Sequence, residues 1–198
     1  MALPDGTSVK LTVCMVGVVL ATVAGCARQE PSQKTEADPV KRGQYLAQVG
    51  GCSDCHTPKV FTQAGPEPDK SRLLSGHPAD DKLPPVPSGV IGPDQWGAIA
   101  SNDLTAWAGP WGISFSANLT PDDSGLKNWS PETFIQAMRT GKHAGVGRAI
   151  LPPMPWQGYG QMTDDDLRAL FAYLQSLPPI SNVVPAPVPP TAGPTPGK

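Results

Sequence analysis

The sequence predicts an all-α fold, in which a helix near each end of the folded region crosses the other and long loops connect them. The N-terminal helix is predicted over residues 39–51, where small and apolar residues recur at helical spacing. The C-terminal helix is predicted up to Leu177, because Leu167, Leu170, Phe171, Leu174 and Leu177 fall at offsets of 0, 3, 4, 7 and 10, on one helical face. The 25 prolines and 21 glycines among 198 residues indicate that much of the remaining chain is loop.

The first 25 residues have the pattern of a secretory signal peptide. One lysine, Lys10, precedes an apolar run from Leu11 to Val23, and small residues follow. The run is too short to be a comfortable transmembrane helix. We therefore expect export of a lipoprotein. The alternatives are an ordinary signal peptide, whose small residues happen to precede a cysteine, and an uncleaved anchor.

Val23-Ala24-Gly25-Cys26 resembles the lipobox of bacterial lipoproteins, in which the cysteine is acylated and becomes the first residue of the mature chain. Acyl chains hold a protein on a membrane surface without spanning the membrane. Ala27 after the cysteine favours, by the same resemblance, the outer membrane. Residues 27–38 are polar and lack an apolar period, so we predict a flexible tether that begins at the lipidated Cys26.

Pro39 stands near the start of the first predicted helix, and Gly50-Gly51 break it. Gly43, Leu46, Ala47 and Gly50 fall on one face of this helix. The small side chains on this face would permit another helix to cross closely. The alternative interpretation is a weak helix whose glycines have no packing role. We expect the C-terminal helix to pack there.

The segment after this helix reads Cys52-Ser53-Asp54-Cys55-His56. Two thiols three positions apart, with an imidazole directly after the second, form the spacing of c-type haem attachment. Cys52 and Cys55 would form the thioether bonds, and His56 would be the proximal ligand of the iron. A single motif indicates one covalently bound haem, whose apolar surface would help a loop-rich chain to fold.

Three other interpretations fit the motif less well. A thioredoxin-like redox pair needs a preceding strand and a βαβ pattern, and neither is visible. A zinc site needs a second pair of ligands at short spacing, which the sequence lacks. A disulfide between Cys52 and Cys55 would leave His56 without a role.

Residues 57–129 carry few regular patterns. Prolines and glycines punctuate residues 59–93, which we interpret as ordered loop around the haem or as a surface insertion. Trp96, Trp107 and Trp111 follow. These aromatics could form a wall of the haem pocket, bind a partner or fill the core.

A further helix is predicted from Ser130-Pro131-Glu132, which supply an N-cap, a proline at the first helical position and an acid in the first turn. It should run to about Thr140 and end at Gly141. Residues 150–156, Ile-Leu-Pro-Pro-Met-Pro-Trp, are too rich in proline to be helical, and we predict a stiff extended segment. We refer to residues 150–156 as the methionine segment.

The last helix is predicted to begin at Thr163, an N-cap followed by the acids Asp164, Asp165 and Asp166. Pro178-Pro179 end it. Residues 179–198 are proline-rich and lack an apolar period, so a partly extended, mobile and disordered tail is predicted.

The second axial ligand decides the chemistry of the iron. The thioether of Met154 suits haem iron, and prolines on both sides hold its backbone in place, so we predict Met154 as the distal ligand. Met138 lies on an apolar helical face and Met162 next to a helix cap, where each more simply packs. His143 and His77 are more simply solvated loop histidines. The remaining alternatives are that one of these two histidines is the distal ligand, or that the iron site is open.

With these elements in place, the sequence resembles the class I cytochromes c. Within that class, it resembles the cytochrome c modules or subunits that accompany bacterial periplasmic dehydrogenases. The resemblance implies a helical cytochrome c-like domain over residues 39–178, with terminal helices crossing beside a covalent haem, and with His56 and Met154 as axial ligands. The matching stretches are Arg42-Gly43-Gln44-Tyr45-Leu46, Cys52 to Thr57, Ser116 to Asp122, Arg139-Thr140-Gly141, Leu151 to Trp156, Met162 to Leu167 and Ala172-Tyr173-Leu174.

We therefore predict a membrane-tethered periplasmic electron carrier rather than an enzyme. Its redox partners would be a dehydrogenase, a quinol-cytochrome c reductase, an oxidase or a reaction centre. The alternatives are a peroxidase-like haem enzyme with an open distal site, and a structural or electron-transfer subunit of a larger membrane complex.

Charge bears on the choice of partner. The formal net charge of -2 supplies no global basic field, which argues against nucleic acid as a partner. Arg139, Lys142 and Arg148 predict a positive rim near the haem that would attract an acidic partner. Scattered surface charge is the alternative.

Overall fold

The computed structural model describes residues 38–92 and 94–190. The helices and strands follow one another along the chain as α1 (Pro39–Val49), α2 (Cys52–His56), β1 (Lys59–Thr62), β2 (Gly65–Pro68), β3 (Ile99–Ala100), β4 (Ala106–Gly109), β5 (Gly112–Phe115), α3 (Pro131–Thr140), α4 (Trp156–Tyr159) and α5 (Asp164–Gln175). Single 3-10 turns cover Lys70–Arg72 and His143–Gly145. The predicted signal peptide, the lipidation of Cys26 and the tether up to residue 37 lie outside the described residues. Asp38 is described, and its carboxylate accepts a hydrogen bond from the Val40 amide as the N-cap of α1.

The terminal helices α1 and α5 pack against each other, as predicted. The face of α1 that contains Gly43, Leu46 and Ala47 is buried. A β-carbon added at Gly43 would lie 2.7 Å from Cβ of Tyr173 and 2.6 Å from the carbonyl carbon of Ala169, so only glycine allows this approach. The crossing encloses the core, whose buried members in α3 and α5 are Phe134, Ile135, Ala137, Met138, Leu167, Leu170, Phe171 and Leu174.

The all-α prediction is wrong, because the region between α2 and α3 contains two antiparallel sheets. Strands β1 and β2 form a hairpin in which Lys59 pairs with Pro68 and Thr62 with Gly65. Strands β3, β4 and β5 form a second sheet in that order. The described strands span only two to four residues, which is too short for a period of two to stand out among prolines and glycines. The hairpin β1–β2 also tolerates prolines, because each of its strands is an edge strand.

The predicted helix starts are confirmed. The Ser130 hydroxyl accepts a hydrogen bond from the Thr133 amide at 3.1 Å, and α3 ends at Gly141 in the left-handed conformation. The Thr163 hydroxyl accepts from the Asp166 amide at 3.1 Å. Both caps satisfy amides that the first helical turn leaves without partners. In the methionine segment, residues 150–155 are not helical, and Trp156 begins the short helix α4.

Residues 179–190 differ from the mobile tail that was predicted. The Val188 amide and carbonyl both bond to Ile113 of β5, and Asn182 bonds to the backbone near His77. Prolines in this segment remove amide donors but leave carbonyls and side chains free to bond. The segment is therefore held against the domain, and residues 191–198 lie outside the described part.

No helix within residues 38–92 and 94–190 combines the length and the apolar character that a membrane span requires.

Candidate functional site

A cavity of about 940 Å³ lies among α2, α3, α5, the methionine segment and the C-terminal residues 183–187. Its volume is in the range of cofactor pockets. The predicted site residues Cys52, Cys55, His56 and Met154 all line it. Apolar side chains dominate the remaining wall, among them Phe115, Leu119, Leu126, Phe134, Ile150, Leu170, Leu174 and Val184.

The short helix α2 sets the geometry of the cysteine and histidine side chains. Its N-cap, Gly51, has a φ of 67°, a left-handed conformation that lets the chain turn sharply out of α1. Residues three and four apart lie on one face of a helix, so Cys52, Cys55 and His56 face the same cavity. No disulfide joins Cys52 and Cys55.

Burial makes both thiols weak acids. Burial raises the pKa of Cys52 to about 11, and it also raises the pKa of Cys55. A reactive redox pair requires the opposite shift, because the thiolate is the nucleophile in thiol–disulfide exchange. The environment therefore argues against a thioredoxin-like function, whereas an apolar setting suits thiols that become neutral thioethers.

The His56 imidazole is oriented by the backbone of a distant loop. Its Nδ1 lies 2.8 Å from the carbonyl oxygen of Ala117, so this nitrogen carries the proton that is donated. Burial lowers the pKa of His56, although the Ala117 carbonyl acts in the opposite direction. The ring is thus kept neutral with Nε2 available as a ligand, which is the arrangement that metal-binding histidines adopt.

The loop with Ala117 is held in place by the turn around Gly76. The His77 amide donates to the Ser116 carbonyl, and the Leu119 amide donates to the Leu74 carbonyl, each at 2.9 Å. Gly76 has a φ of 80°, and a β-carbon there would lie 2.5 Å from the Ser116 carbonyl oxygen. The position of the Ala117 carbonyl therefore depends on contacts that are remote in sequence.

Met154 is held by a second set of contacts. The Ser114 hydroxyl of β5 donates to the Pro152 carbonyl at 2.6 Å. The Ile150 amide donates to the Gly141 carbonyl, which joins the start of the methionine segment to the end of α3. Three prolines restrict the backbone between these contacts and Trp156. The thioether is consequently held at the cavity by a stiff, bonded segment.

The other candidate ligands divide into two groups. Met138 and His143 also line the cavity, and His143 packs edge-on against Trp129 with ring centroids 5.2 Å apart. Burial lowers the pKa of His143, and Arg148 acts in the same direction. Met162 and His77 are not among the lining residues.

His77 is not the solvated loop histidine that was predicted. It is 1% exposed, and its Nδ1 lies 2.7 Å from the Thr105 hydroxyl, which itself donates to Asp103. Its ring packs on Phe115 with centroids 4.8 Å apart. The sequence gives no sign that His77 is buried, because its partners lie far along the chain, in strand β5 and in the loop before β4.

The tryptophans have different roles. Trp107 lines the cavity, whereas Trp111 donates from Nε1 to the Ser114 hydroxyl at 3.2 Å. Trp96 is 70% exposed. Tyr159 also lines the cavity, and its hydroxyl donates to the Gly50 carbonyl. The sequence offered no signal for Tyr159, Ser114 or the Ala117 carbonyl, since each acts through a backbone group far along the chain.

The predicted positive rim is reduced by internal pairing. Arg139 donates to the carbonyls of Gly160 and Met162 and to the carboxylate of Asp164, so its charge is engaged between α3 and α5. Lys142 and Arg148 are exposed, and Arg148 lines the cavity.

Comparisons with known proteins show which family and which relatives this chain resembles. The cytochrome c family model matches residues 40–178. The chain is 28% identical over 171 residues to the fructose dehydrogenase cytochrome subunit of Gluconobacter japonicus, covering 84% of this chain and 28% of that protein. It is 30% identical over 162 residues to the gluconate 2-dehydrogenase cytochrome c subunit of Pantoea cypripedii, covering 80% and 28%.

A further relative is the cytochrome c subunit of alcohol dehydrogenase (quinone) from Gluconobacter oxydans, at 28% identity over 143 residues. That alignment covers 72% of this chain and 22% of the relative. This chain therefore corresponds to between a fifth and a third of the length of these three relatives.

Proposed function

The chain belongs to the cytochrome c family, and on that premise we propose that it is an electron-transfer protein with one haem c in the cavity. Cys52 and Cys55 would hold the haem by thioether bonds, with His56 as the proximal ligand and Met154 as the distal ligand. The observation that supports this assignment most directly is that all four side chains line one mainly apolar cavity.

The residues suit this group in three respects. The thiols face the same space as the imidazole, which is oriented by the Ala117 carbonyl with Nε2 free. The methionine segment approaches the same cavity and is bonded to β5 and α3. The apolar wall would exclude water, and burial of a haem raises its reduction potential relative to an exposed one.

When bound, haem c supplies an iron that cycles between two oxidation states. Ligands from His56 and Met154 would leave no vacant position for a substrate, so the protein would pass single electrons and perform no bond chemistry. The chain's own role is then to hold both ligands firmly in both states. The contacts of Ala117 with His56 and of Ser114 with Pro152 serve this role.

A dehydrogenase is the partner that we propose, because the relatives are named as cytochrome subunits of dehydrogenases. A quinol-cytochrome c reductase would be an alternative electron donor, and the acceptor would be an oxidase or a reaction centre. We further propose that the protein is exported and lipidated at Cys26, which would place it on the periplasmic face of a bacterial membrane, with the outer membrane favoured. The support for this location is the sequence of residues 1–27.

The experiment that tests the ligand assignment compares absorption spectra of the haem-loaded wild type with those of Met154→Ala and Met162→Ala. The wild type and Met162→Ala should show the far-red sulfur-to-iron band and should not bind carbon monoxide when reduced. Met154→Ala should lose the band and bind carbon monoxide. A wild type that binds carbon monoxide readily would instead support a peroxidase-like enzyme, and a band that persists in Met154→Ala would assign another distal ligand.

A further inference from the structure

Residues 180–188, which we name the C-terminal strap, lie beyond the residues that the family model matches. Within the strap, Ser181 and residues 183–187 border the haem cavity. We propose that the C-terminal strap is a functional wall of the haem site, which excludes water and positions the loop whose Ala117 carbonyl orients His56. The proposal rests on the proposed function, because it assigns the cavity to haem. It concerns residues that the sequence patterns indicated to be an unstructured tail.

The strap is fixed at its start to the loop that follows β5. The Asn118 side chain donates to the Ile180 carbonyl at 2.8 Å, and the Ile180 amide donates to the Thr120 hydroxyl at 3.1 Å. Asn118 and Thr120 are 3% and 0% exposed, so these bonds are shielded from water. The carbonyl of the adjoining residue, Ala117, accepts the hydrogen bond from His56 Nδ1. The strap is therefore connected to the proximal ligand through one peptide unit and one side chain.

Asn182 makes a second connection, to the turn around Gly76, which also holds the loop that contains Ala117. Its Nδ2 donates to the carbonyls of Ser75 and His77 at 2.7 and 2.9 Å, and its Oδ1 accepts from the Ala79 amide at 2.9 Å. The backbone amide of Asn182 also donates to the Ser124 hydroxyl. One side chain thus joins three backbone groups of residues 75–79, and aspartate could not reproduce the two donated bonds.

The end of the strap pairs with the second sheet. The Ile113 amide and carbonyl both bond to Val188, at 2.8 and 2.9 Å. Gly112 has a φ of 95°, and a β-carbon there would lie 2.6 Å from the carbonyl carbon of Pro189. The chain can pass this close to β5 only because residue 112 is glycine.

Between these two anchors, residues 183–187, Val-Val-Pro-Ala-Pro, border the cavity, and Val184, Pro185 and Pro187 are half-buried there. Proline has no amide donor to satisfy, so an extended stretch rich in proline can cover an apolar cavity without leaving buried donors unpaired. The strap is thus bonded at both ends and apolar in the middle, which is the construction expected of a wall. Removing it would admit water to the haem and stabilise the more highly charged oxidised iron.

The first test compares two truncations of the haem-loaded protein. A chain that ends at Pro178 lacks the strap, and a chain that ends at Pro190 keeps it and is the matched control. The midpoint potential, measured by redox titration, should shift to lower values in the first and equal that of the full chain in the second. Equal potentials for all three haem-loaded proteins would overturn the proposal.

A point substitution decides the matter where the shorter chain does not fold. Asn182→Asp keeps the acceptor and removes both donated bonds, and Asn102→Asp introduces the same charge at an exposed position. We expect a lower potential and faster proton exchange at His56 Nδ1, followed by NMR, in Asn182→Asp only. Wild-type values for both readouts in Asn182→Asp would refute the role of the strap.

The outcome is separable from that of the proposed function. A wild type that lacks the sulfur-to-iron band would remove Met154 as a ligand, whereas the difference in potential between the truncations would still decide whether the strap excludes water.

Discussion

Gly43 of α1 packs directly on the carbonyl group of Ala169 in α5, with no room for a side chain between the two helices. A methyl group at residue 43 would overlap backbone atoms, which cannot move without separating the helices. The crossing of the terminal helices therefore depends on one missing β-carbon.

We expect Gly43→Ala to destabilise the haem-loaded protein by about 1–3 kcal/mol, the usual cost of overpacking a core. At an unconstrained helical position the same change would be favourable by up to about 1 kcal/mol. The free energy of unfolding in urea measures the effect. Gly158→Ala in α4 is the control, because a β-carbon there meets no atom within 4 Å. A neutral or stabilising Gly43→Ala would show that the helices can separate at no cost.

The same pair of helices is joined at its edge by an ion pair. Arg42 Nε lies 2.9 Å from the Asp166 carboxylate, and this hydrogen bond lowers the pKa of Asp166 from its usual value. A lowered pKa in the folded state stabilises the protein above the pKa of the unfolded carboxyl, which is about 4. This stabilisation is lost as the pH falls through the lowered pKa that Asp166 has in the folded protein.

We therefore expect Asp166→Asn to lower the urea midpoint slightly at pH 7, with the difference from wild type vanishing in strong acid. The effect should be modest and should weaken in salt, since the pair is partly exposed. Asp165→Asn removes a neighbouring acid from the same helical turn and controls for the helix dipole. An identical pH profile for the two variants would contradict the role of the ion pair.

The sequence predicted the helices better than the region between them, for physical reasons. Caps such as Ser130 and Thr163 act within four residues, so their signals are local and the structure matches them. The second sheet combines strands of two to four residues, which are stabilised by pairing with partners elsewhere in the chain. Such pairing leaves no local period, and the all-α prediction failed there.

The candidate site shows the same division. The spacing from Cys52 to His56 and the prolines around Met154 indicated residues that line one cavity in the structure. The groups that orient them were not predictable, because the Ala117 carbonyl and the Asn182 amide act across large separations in sequence. A backbone carbonyl carries no residue signature, and a proline-rich tail indicates extension without indicating what it covers.

Arg148 provides a test of the predicted positive rim. It is exposed and lines the cavity, whereas Arg139 is engaged with Asp164. We expect Arg148→Gln to slow oxidation of the reduced protein by ferricyanide, an anion, by about two- to tenfold at low ionic strength. Stopped-flow rates measured over a range of salt should converge with those of wild type at high salt.

Arg168→Gln is the matched control for Arg148, because Arg168 pairs with Glu132 and does not line the cavity. Its oxidation rate should equal that of wild type. If Arg148→Gln retains the wild-type rate and salt dependence, the positive charge of Arg148 does not attract anionic partners.

The bond between Ser114 and Pro152 makes a last prediction about the distal ligand. The Ser114 hydroxyl is buried and donates to the Pro152 carbonyl at 2.6 Å, two residues before Met154. Ser114→Ala removes that bond, which is worth about 1 kcal/mol, so the methionine segment should release the iron more easily. Added imidazole should then displace Met154 about fivefold more readily, measured as loss of the sulfur-to-iron band during a titration. Ser176→Ala, at an exposed position after α5, should titrate like wild type. Equal imidazole affinities for Ser114→Ala and wild type would mean that the prolines alone hold Met154 in place.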